Sequence, residues 1–420
     1  MITTGVTGRP WRASITEWGT IEPWDDVPTL DWFVAADDRW HVPAEETSVR
    51  QRRVEGTAVT ETRVRVPSGD VVQRIYSVAD AGGLTVVEFE NESPMAVAVA
   101  FDRSDVLTER PIVDVPIEGI ELPEGAFVIP LGHQATARIA LAHGGQRSGP
   151  IPAGVSTMTQ VVRGWLSLTE RASRFVLPDG DRGSLLAEEI TAQRCEIALG
   201  SIPRAADDAA GFVLALGELV RMGEPPDPWM PELVDAVQAL GPVAGWDADA
   251  ALAAAGRVLT VAGERRARRD LERIVARRSP SAPPADPPGG VRSIAWLESH
   301  LARAGALLPV GMPGDWLGRS VDVYGVPTVA GSAVSFAIRW HGERPALLWE
   351  QTGDAIELSA PIAAPEWSSS ETKGETLWPP PPGAQPIVSD VAGDATPAPV
   401  VEPSEPDVEI DLDGEPGSFS

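Results

Sequence analysis

AAGFVLALGELVRM, running from Ala209 to Met222, sets Ala209, Phe212, Val213, Leu216, Leu219 and Val220 at helical spacing. That is one apolar stripe, about as wide as a core-facing helix needs. The surrounding residues, 156–278, keep the same period. Val161, Val162, Trp165, Leu168, Ala172 and Phe175 stay in phase until Pro178-Asp179-Gly180 stops them. A second helix is expected over 182–199 on Leu186, Ile190 and Ile197. The quoted stripe belongs to a third, over 205–222, with Asp207 and Asp208 at the positive end of its dipole. Helices over 231–240, 247–261 and 264–278 follow, and the short turns between them predict antiparallel hairpins.

On both sides of this block the pattern changes to β. Upstream lie VTETRVRV (59–66), VVQRIYSV (71–78), LTVVEFE (84–90) and MAVAVAF (95–101), divided by turns rich in Gly, Pro, Ser and Asn. Further strands are expected over 127–129 and 135–141. Both alternating sets of MAVAVAF are apolar, so it should be central, whereas Val59, Glu61, Arg63 and Arg65 should face solvent. Residues up to Pro28 read as irregular, pinned by Trp11, Trp18 and Trp24. Downstream, SPSAPPADPPGG (279–290) reads as a linker or mobile loop, and VRSIAWLESHLARAG (291–305) as an amphipathic helix on Ile294, Leu297 and Leu301. In AVSFAIRWHG, Val334, Phe336, Ile338 and Trp340 alternate with Ser335, Ala337, Arg339 and His341 as in a half-buried strand.

The fold class predicted is α+β and multidomain: an N-terminal antiparallel β-sandwich (1–150), a central array of antiparallel helical hairpins (156–278), the Pro-rich linker (279–290), a helix with a C-terminal β block (291–378) and an acidic tail (379–420) expected to be disordered. At 420 residues, 43% hydrophobic and 23% charged, the chain can bury real cores. A formal charge of -27 and a pI near 4.5 argue against nucleic acid or an anionic membrane as partner. MITTGVTGRPWRAS lacks the apolar core of a signal peptide and no apolar run is long enough for a bilayer, so a cytoplasmic location is expected. Cys195 is the single cysteine and five scattered His offer no ligand spacing, so neither a disulfide, a metal nor a cofactor is expected.

The order of a many-stranded β block, paired helices and a closing β block resembles the six-hairpin glycosidases, the glucoamylase-like and phosphorylase-like enzymes. The likeness is carried by TAVTETRVRVPSGDVVQRIYSV (57–78), LTVVEFENESPMAVAVAF (84–101) with its Glu90-Asn91-Glu92-Ser93 turn, and SFAIRWHGERPALLWE (335–350). The resemblance implies an α/α toroid and a pair of acids facing each other across a sugar site. The sequence departs from it in supplying about three or four hairpins where a closed toroid needs six. Glu188 and Glu189 point about 100° apart on one helix and cannot form the pair by themselves. An incomplete toroid, and a relative that has lost catalysis, are what this implies.

Two groups of residues have the composition of a carbohydrate pocket, in which indoles stack on sugar C–H faces and charged groups take up hydroxyls. The first is Trp32, Asp37, Asp38, Arg39, Trp40 and His41; its structural reading is a Trp-rich edge held by an Arg39–Asp ion pair. The second is Arg339, His341, Glu343, Arg344, Trp349 and Glu350, otherwise a hydrogen-bond network closing a hairpin. Arg265, Arg266, Arg268, Arg269, Arg273, Arg277 and Arg278 form the one basic island, read as a solvated helix face paired with Glu264, Asp270 and Glu272. Two functions remain open from the residues: a carbohydrate-binding or carbohydrate-processing protein, and a catalytically inactive one that contacts protein partners through its acidic tail.

Overall fold

The computed structural model describes residues 1–110, 119–122, 124–178, 183–329 and 331–381. Pro178-Asp179-Gly180 and the acidic tail fall partly or wholly outside them. The fold is mixed, 28% helix and 32% strand, so neither class dominates. Among the described residues it has seven helices and five sheets, whose strand pairs are antiparallel except at two short contacts.

In the first β block, a seven-stranded sheet runs in the order Gly149–Pro150, Leu107–Thr108, Thr136–Ala142, Leu84–Asn91, Gly69–Val78, Thr60–Val66 and Arg50–Arg53. A four-stranded sheet has the order Phe127–Leu131, Val97–Phe101, Trp32–Ala35 and Trp40–His41. Val97–Phe101 is an inner strand there, as its doubly apolar pattern requires. Val71, Ile75, Val87, Phe89 and Ile139 from one sheet and Trp32, Val34, Val99, Phe101 and Phe127 from the other share a core.

The N-terminal segment is not irregular. Ile2–Gly5, Arg12–Ile15 and Ile21–Pro23 form a third sheet, with Ala13, Ile15 and Ile21 fully buried. Runs of three or four residues are too short to show a period of two. Glu61 was expected in solvent and is buried instead, because Arg52, Arg63 and Arg74 from its own and both adjacent strands close over it.

The helices are α1 (Met158–Thr169), α2 (Gly183–Ala198), α3 (Ala209–Met222), α4 (Met230–Leu240), α5 (Trp246–Val261), α6 (Arg265–Val275) and α7 (Arg292–Leu301). Thr157 and Gln160 close a capping box on α1. This helix stops earlier than its apolar phase suggests: Phe175 lies on the strand Arg174–Val176, paired with Val321–Val329, and joins a different core from Val162 and Trp165 of α1. α3 begins at Ala209 because Asp208 caps it, its carboxylate accepting from Gly211 N–H at 2.9 Å. It ends at Gly223, whose φ of 111° suits glycine.

The one-sided stripe expected of α3 is also corrected. Every residue from Ala210 to Val220 is buried, Glu218 included, so α3 is the central helix. α5 can lie close against it because Gly217 faces Ala254: a Cβ on Gly217 would sit 3.1 Å from the Ala254 Cβ. One core joins these helices to the C-terminal block, including Phe212, Val213, Leu252, Val258, Ile294, Val334, Phe336, Trp349 and Trp378. That block contains a sheet in the order Arg174–Val176, Val321–Val329, Ser332–His341, Arg344–Thr352, Lys373–Leu377, and a smaller four-stranded one.

Helices and first β block are joined as well. α1 covers Tyr76, Val86 and Ala140 on the outer face of the seven-stranded sheet. Glu196 of α2 meets Arg53, and Arg12 donates to Leu199 O at 3.0 Å. Gly56 packs so tightly on the Glu188 carbonyl that a side chain there would collide with it. The Pro-rich segment 279–290 is tied down at both sides: Ser281 N–H donates to Asp249 at 2.8 Å, and Trp296 Nε1 donates to Pro284 O at 2.8 Å. Proline removes donors but leaves carbonyls, so such a segment can still be held by its neighbours.

Candidate functional site

Neither of the aromatic and charged groups seen in the sequence forms a pocket as a unit. In the first, Trp32 belongs to the core and donates its Nε1 hydrogen to Trp18 O at 3.0 Å. His41 is buried and bridges Asp38 at 3.1 Å and Glu46 at 2.9 Å. Arg39 pairs with Glu46, not with an aspartate, and also donates to Trp40 O, while Asp37 is exposed. In the second group, Arg339 holds Asp322 at 2.6 Å, Arg344 donates to Leu377 O and Trp378 O, and Trp349 packs at 5.2 Å against Trp367. Glu350 faces Lys373 across the ladder, and His341 and Glu343 are exposed at the hairpin. The two groups lie in different sheets and different cores, and no cavity among those found draws on both.

The helical block holds what the sequence reading missed, a sealed network of charges. Arg194 Nε donates to Glu218 Oε2 at 2.8 Å, and Arg221 reaches Glu218 at 2.5 Å and Glu298 at 2.8 Å. Ser173 hydroxyl donates to Glu298 at 2.9 Å, and Arg194 returns two bonds to Ser173 at 2.6 Å. Arg221 also donates to Ala172 O and to Gly325 O. Four elements, α2, α3, α7 and the sheet strand Val321–Val329, are fixed together by it. Burial would push the Glu218 carboxyl up, but Arg221 and Arg194 outweigh it and hold it at about 2. Burial pulls the Arg221 guanidinium down, and Glu218 with Glu298 more than restores it.

Beside this network lies a cavity of about 300 Å³. One face of α5 supplies Trp246, Asp249, Ala250, Ala253 and Arg257, residues three, four, seven and eleven apart from Trp246 and therefore on one side of the helix. α7 supplies Ala295, Glu298 and Ser299; Pro280 and Ser281 cover it, and Pro327 and Thr328 complete it. Thr328 sits where the ladder slips: Pro327 pairs with Ala333 and Val329 with Ser332, leaving one extra residue between them. A bulge of this kind re-aims a side chain out of the regular sheet.

Two acids line the cavity, and arginines occupy both: Arg278 lies 2.8 Å from Asp249, and Arg221 lies 2.8 Å from Glu298. Six buried side-chain polar atoms among the described residues have no hydrogen-bond partner. Two of them, Arg257 Nε and Thr328 Oγ1, belong to this one wall. The larger depression, about 790 Å³ between α2, α3 and α4, has an apolar floor of Ile197, Phe212 and Leu219 and a rim of exposed Glu224, Glu232 and Asp235, none of them in want of a partner that water does not supply. Arg257 could have been suspected from sequence: it is the one charge in ALAAAGRVLTVA, residues 251–262, a helix of small and apolar residues.

The remaining chemistry is structural. Burial pushes the Cys195 thiol up to about 12, which leaves it unreactive. No group of three His, Cys, Asp or Glu among the described residues could hold a metal, and no helix among them is long and apolar enough to cross a membrane. α6 carries its arginines in solvent, with Arg268 on Glu272 and Arg273 on Asp270. No family model and no curated protein matches the chain, so the site is read from its own residues.

Proposed function

We propose that the protein binds a small polyhydroxylated ligand of the carbohydrate class in the cavity between α5, α7 and the strand Val321–Val329, and that it acts as a binding protein and not as a glycosidase. The cavity carries this reading. At about 300 Å³ it accommodates a ligand of one ring, with Trp246 offering an indole wall and Ser281, Ser299 and Thr328 offering hydroxyls. Hydrolysis of a glycoside needs two carboxyls free to donate a proton and to activate water or attack. Asp249 and Glu298 are each committed to an arginine, which suits holding a ligand and not proton transfer.

The order of elements supports a matching scaffold: a β-sandwich joined to an incomplete α/α ring and a closing sheet, a reduced version of the six-hairpin arrangement. The hollow lies where the helices meet the closing sheet, as a ring that has lost hairpins would leave it. The test is titration calorimetry with glucose, maltose and trehalose on the native protein and on Ala295→Phe, which fills the cavity with a ring. Heat from at least one sugar, abolished in Ala295→Phe, is the expected result. Silence across the panel removes neutral sugars as ligands, and equal binding by the filled variant moves the site elsewhere.

A further inference from the structure

The geometry points to an anionic group, a carboxylate or a phosphate, on the ligand of this cavity, seated between the Arg257 guanidinium and the Thr328 hydroxyl. The inference deepens the binding reading above and rests on it. Among the described residues Arg257 makes no hydrogen bond and no ion pair, and its Nε is sealed from solvent. The neighbouring carboxylates cannot serve it, because they are already taken. Glu218 accepts from Arg194 and Arg221, Glu298 from Arg221 and Ser173, and Asp249 from Arg278 and the Ser281 N–H.

Three arginines, Arg194, Arg221 and Arg257, therefore meet two carboxylates, Glu218 and Glu298, and one positive charge is left over at the cavity wall. Burial, and after it the repulsion of Arg221, outweighs the attraction of Glu298 and Glu218 and pulls the Arg257 guanidinium down to about 10, so it is still a cation at neutral pH. With its Nε sealed and the nearest carboxylates already hydrogen-bonded to other arginines, the half-buried guanidinium is poorly served inside the protein, and the simplest relief is an anion from outside. Thr328 meets the same need: it is the extra residue of the bulge, and among the described residues its Oγ1 finds no hydrogen-bond partner. A guanidinium fork beside a hydroxyl is a fitting cradle for planar carboxylate or tetrahedral phosphate oxygens. Exposed Arg303, also in the wall and without a partner among the described residues, adds positive potential at the mouth.

The experiment titrates glucose, glucuronate, glucose 6-phosphate, acetate and inorganic phosphate into the full chain and into Arg257→Met, Arg257→Lys and Thr328→Val. In the native protein one charged sugar is expected to bind about tenfold more tightly than glucose. Whether glucuronate or glucose 6-phosphate gains more tells a carboxylate site from a phosphate site. Arg257→Met should bring the charged and neutral sugars within about twofold of each other, Arg257→Lys should keep part of the preference, and Thr328→Val should lose about threefold. Ligand-free Arg257→Met should melt at or above the native temperature, because it removes a partly desolvated charge that no carboxylate among the described residues hydrogen-bonds. Glucose binding as tightly as both charged sugars overturns the anion and leaves the cavity reading standing. No heat from any of the five probes overturns both. Undiminished preference in Arg257→Met, or a lower melting temperature of its ligand-free form, assigns Arg257 to structure and ends the proposal.

Discussion

Glu61 in the seven-stranded sheet takes three arginines and Glu218 in α3 takes two, yet it is the second that sits in the drier place. Glu61 takes Arg52, Arg63 and Arg74 at 2.9 to 3.0 Å, but the Arg52 side chain is 65% exposed and Arg63 26%. Glu218 takes Arg194 and Arg221, whose side chains are 2% and 12% exposed. When the carboxylate is lost, Arg52 and Arg63 can turn to water, and Arg74, 14% exposed, keeps Glu90 at 2.7 Å; Arg194 and Arg221 are left to share Glu298. The energetic weight of an ion pair is set by what its survivor can do, and the number of pairs does not measure it.

The comparison breaks if the two carboxylates prove equivalent. Glu218→Ala should cost about 3–5 kcal/mol in denaturant unfolding, since it leaves Arg194 and Arg221, with Arg257 beside them, one carboxylate, Glu298. Acid should act on the same group. Its folded value of about 2 lies below the ordinary 4.5, so its contribution is complete above pH 4.5 and is lost as the pH falls from there toward 2. In Glu218→Gln that slope should be absent; a wild-type acid slope in this variant would assign the transition to other carboxylates. Glu88, on the sheet, runs in the opposite sense: burial raises its carboxyl, so lowering the pH through its folded value relieves a penalty.

Glu61→Ala should cost less, about 1–2 kcal/mol, because Arg52 and Arg63 rehydrate and Arg74 keeps Glu90. A loss as large as that of Glu218→Ala would show that the sheet face is as dry as the helical core. The smallest effect should come from Arg273→Ala on α6, where the ion pair with Asp270 is exposed on both sides; the change should lie within about 0.5 kcal/mol and vanish in high salt.

The strands of the first β block were legible because Thr60–Val66, Gly69–Val78, Leu84–Asn91 and Val97–Phe101 are long enough to show alternation and are closed by strong turn residues. The helices were legible for the same reason. Short elements were not: Ile2–Gly5, Arg12–Ile15 and Arg174–Val176 hold too few residues to carry a period, and Phe175 happened to continue the phase of α1. The site was missed because conspicuous residues drew attention to groups that prove to be separate. Trp32 and Trp349 stand out in the sequence and are spent in two different cores, whereas Arg257 is marked only by being the one charge in residues 251–262 and Thr328 looks ordinary until its surroundings are known.

By itself, then, the sequence determined the order of β, α and β and the helical period of residues 209–222, since these depend on local periodicity and on residue types; that this helix is buried all round was decided by its neighbours. Only the tertiary structure decided which charges are paired. Glu218, Glu298, Arg194, Arg221 and Arg257 come from four helices spread over more than a hundred residues. Pairing falls off within a few ångströms of distance through space, and distance along the chain says nothing about it.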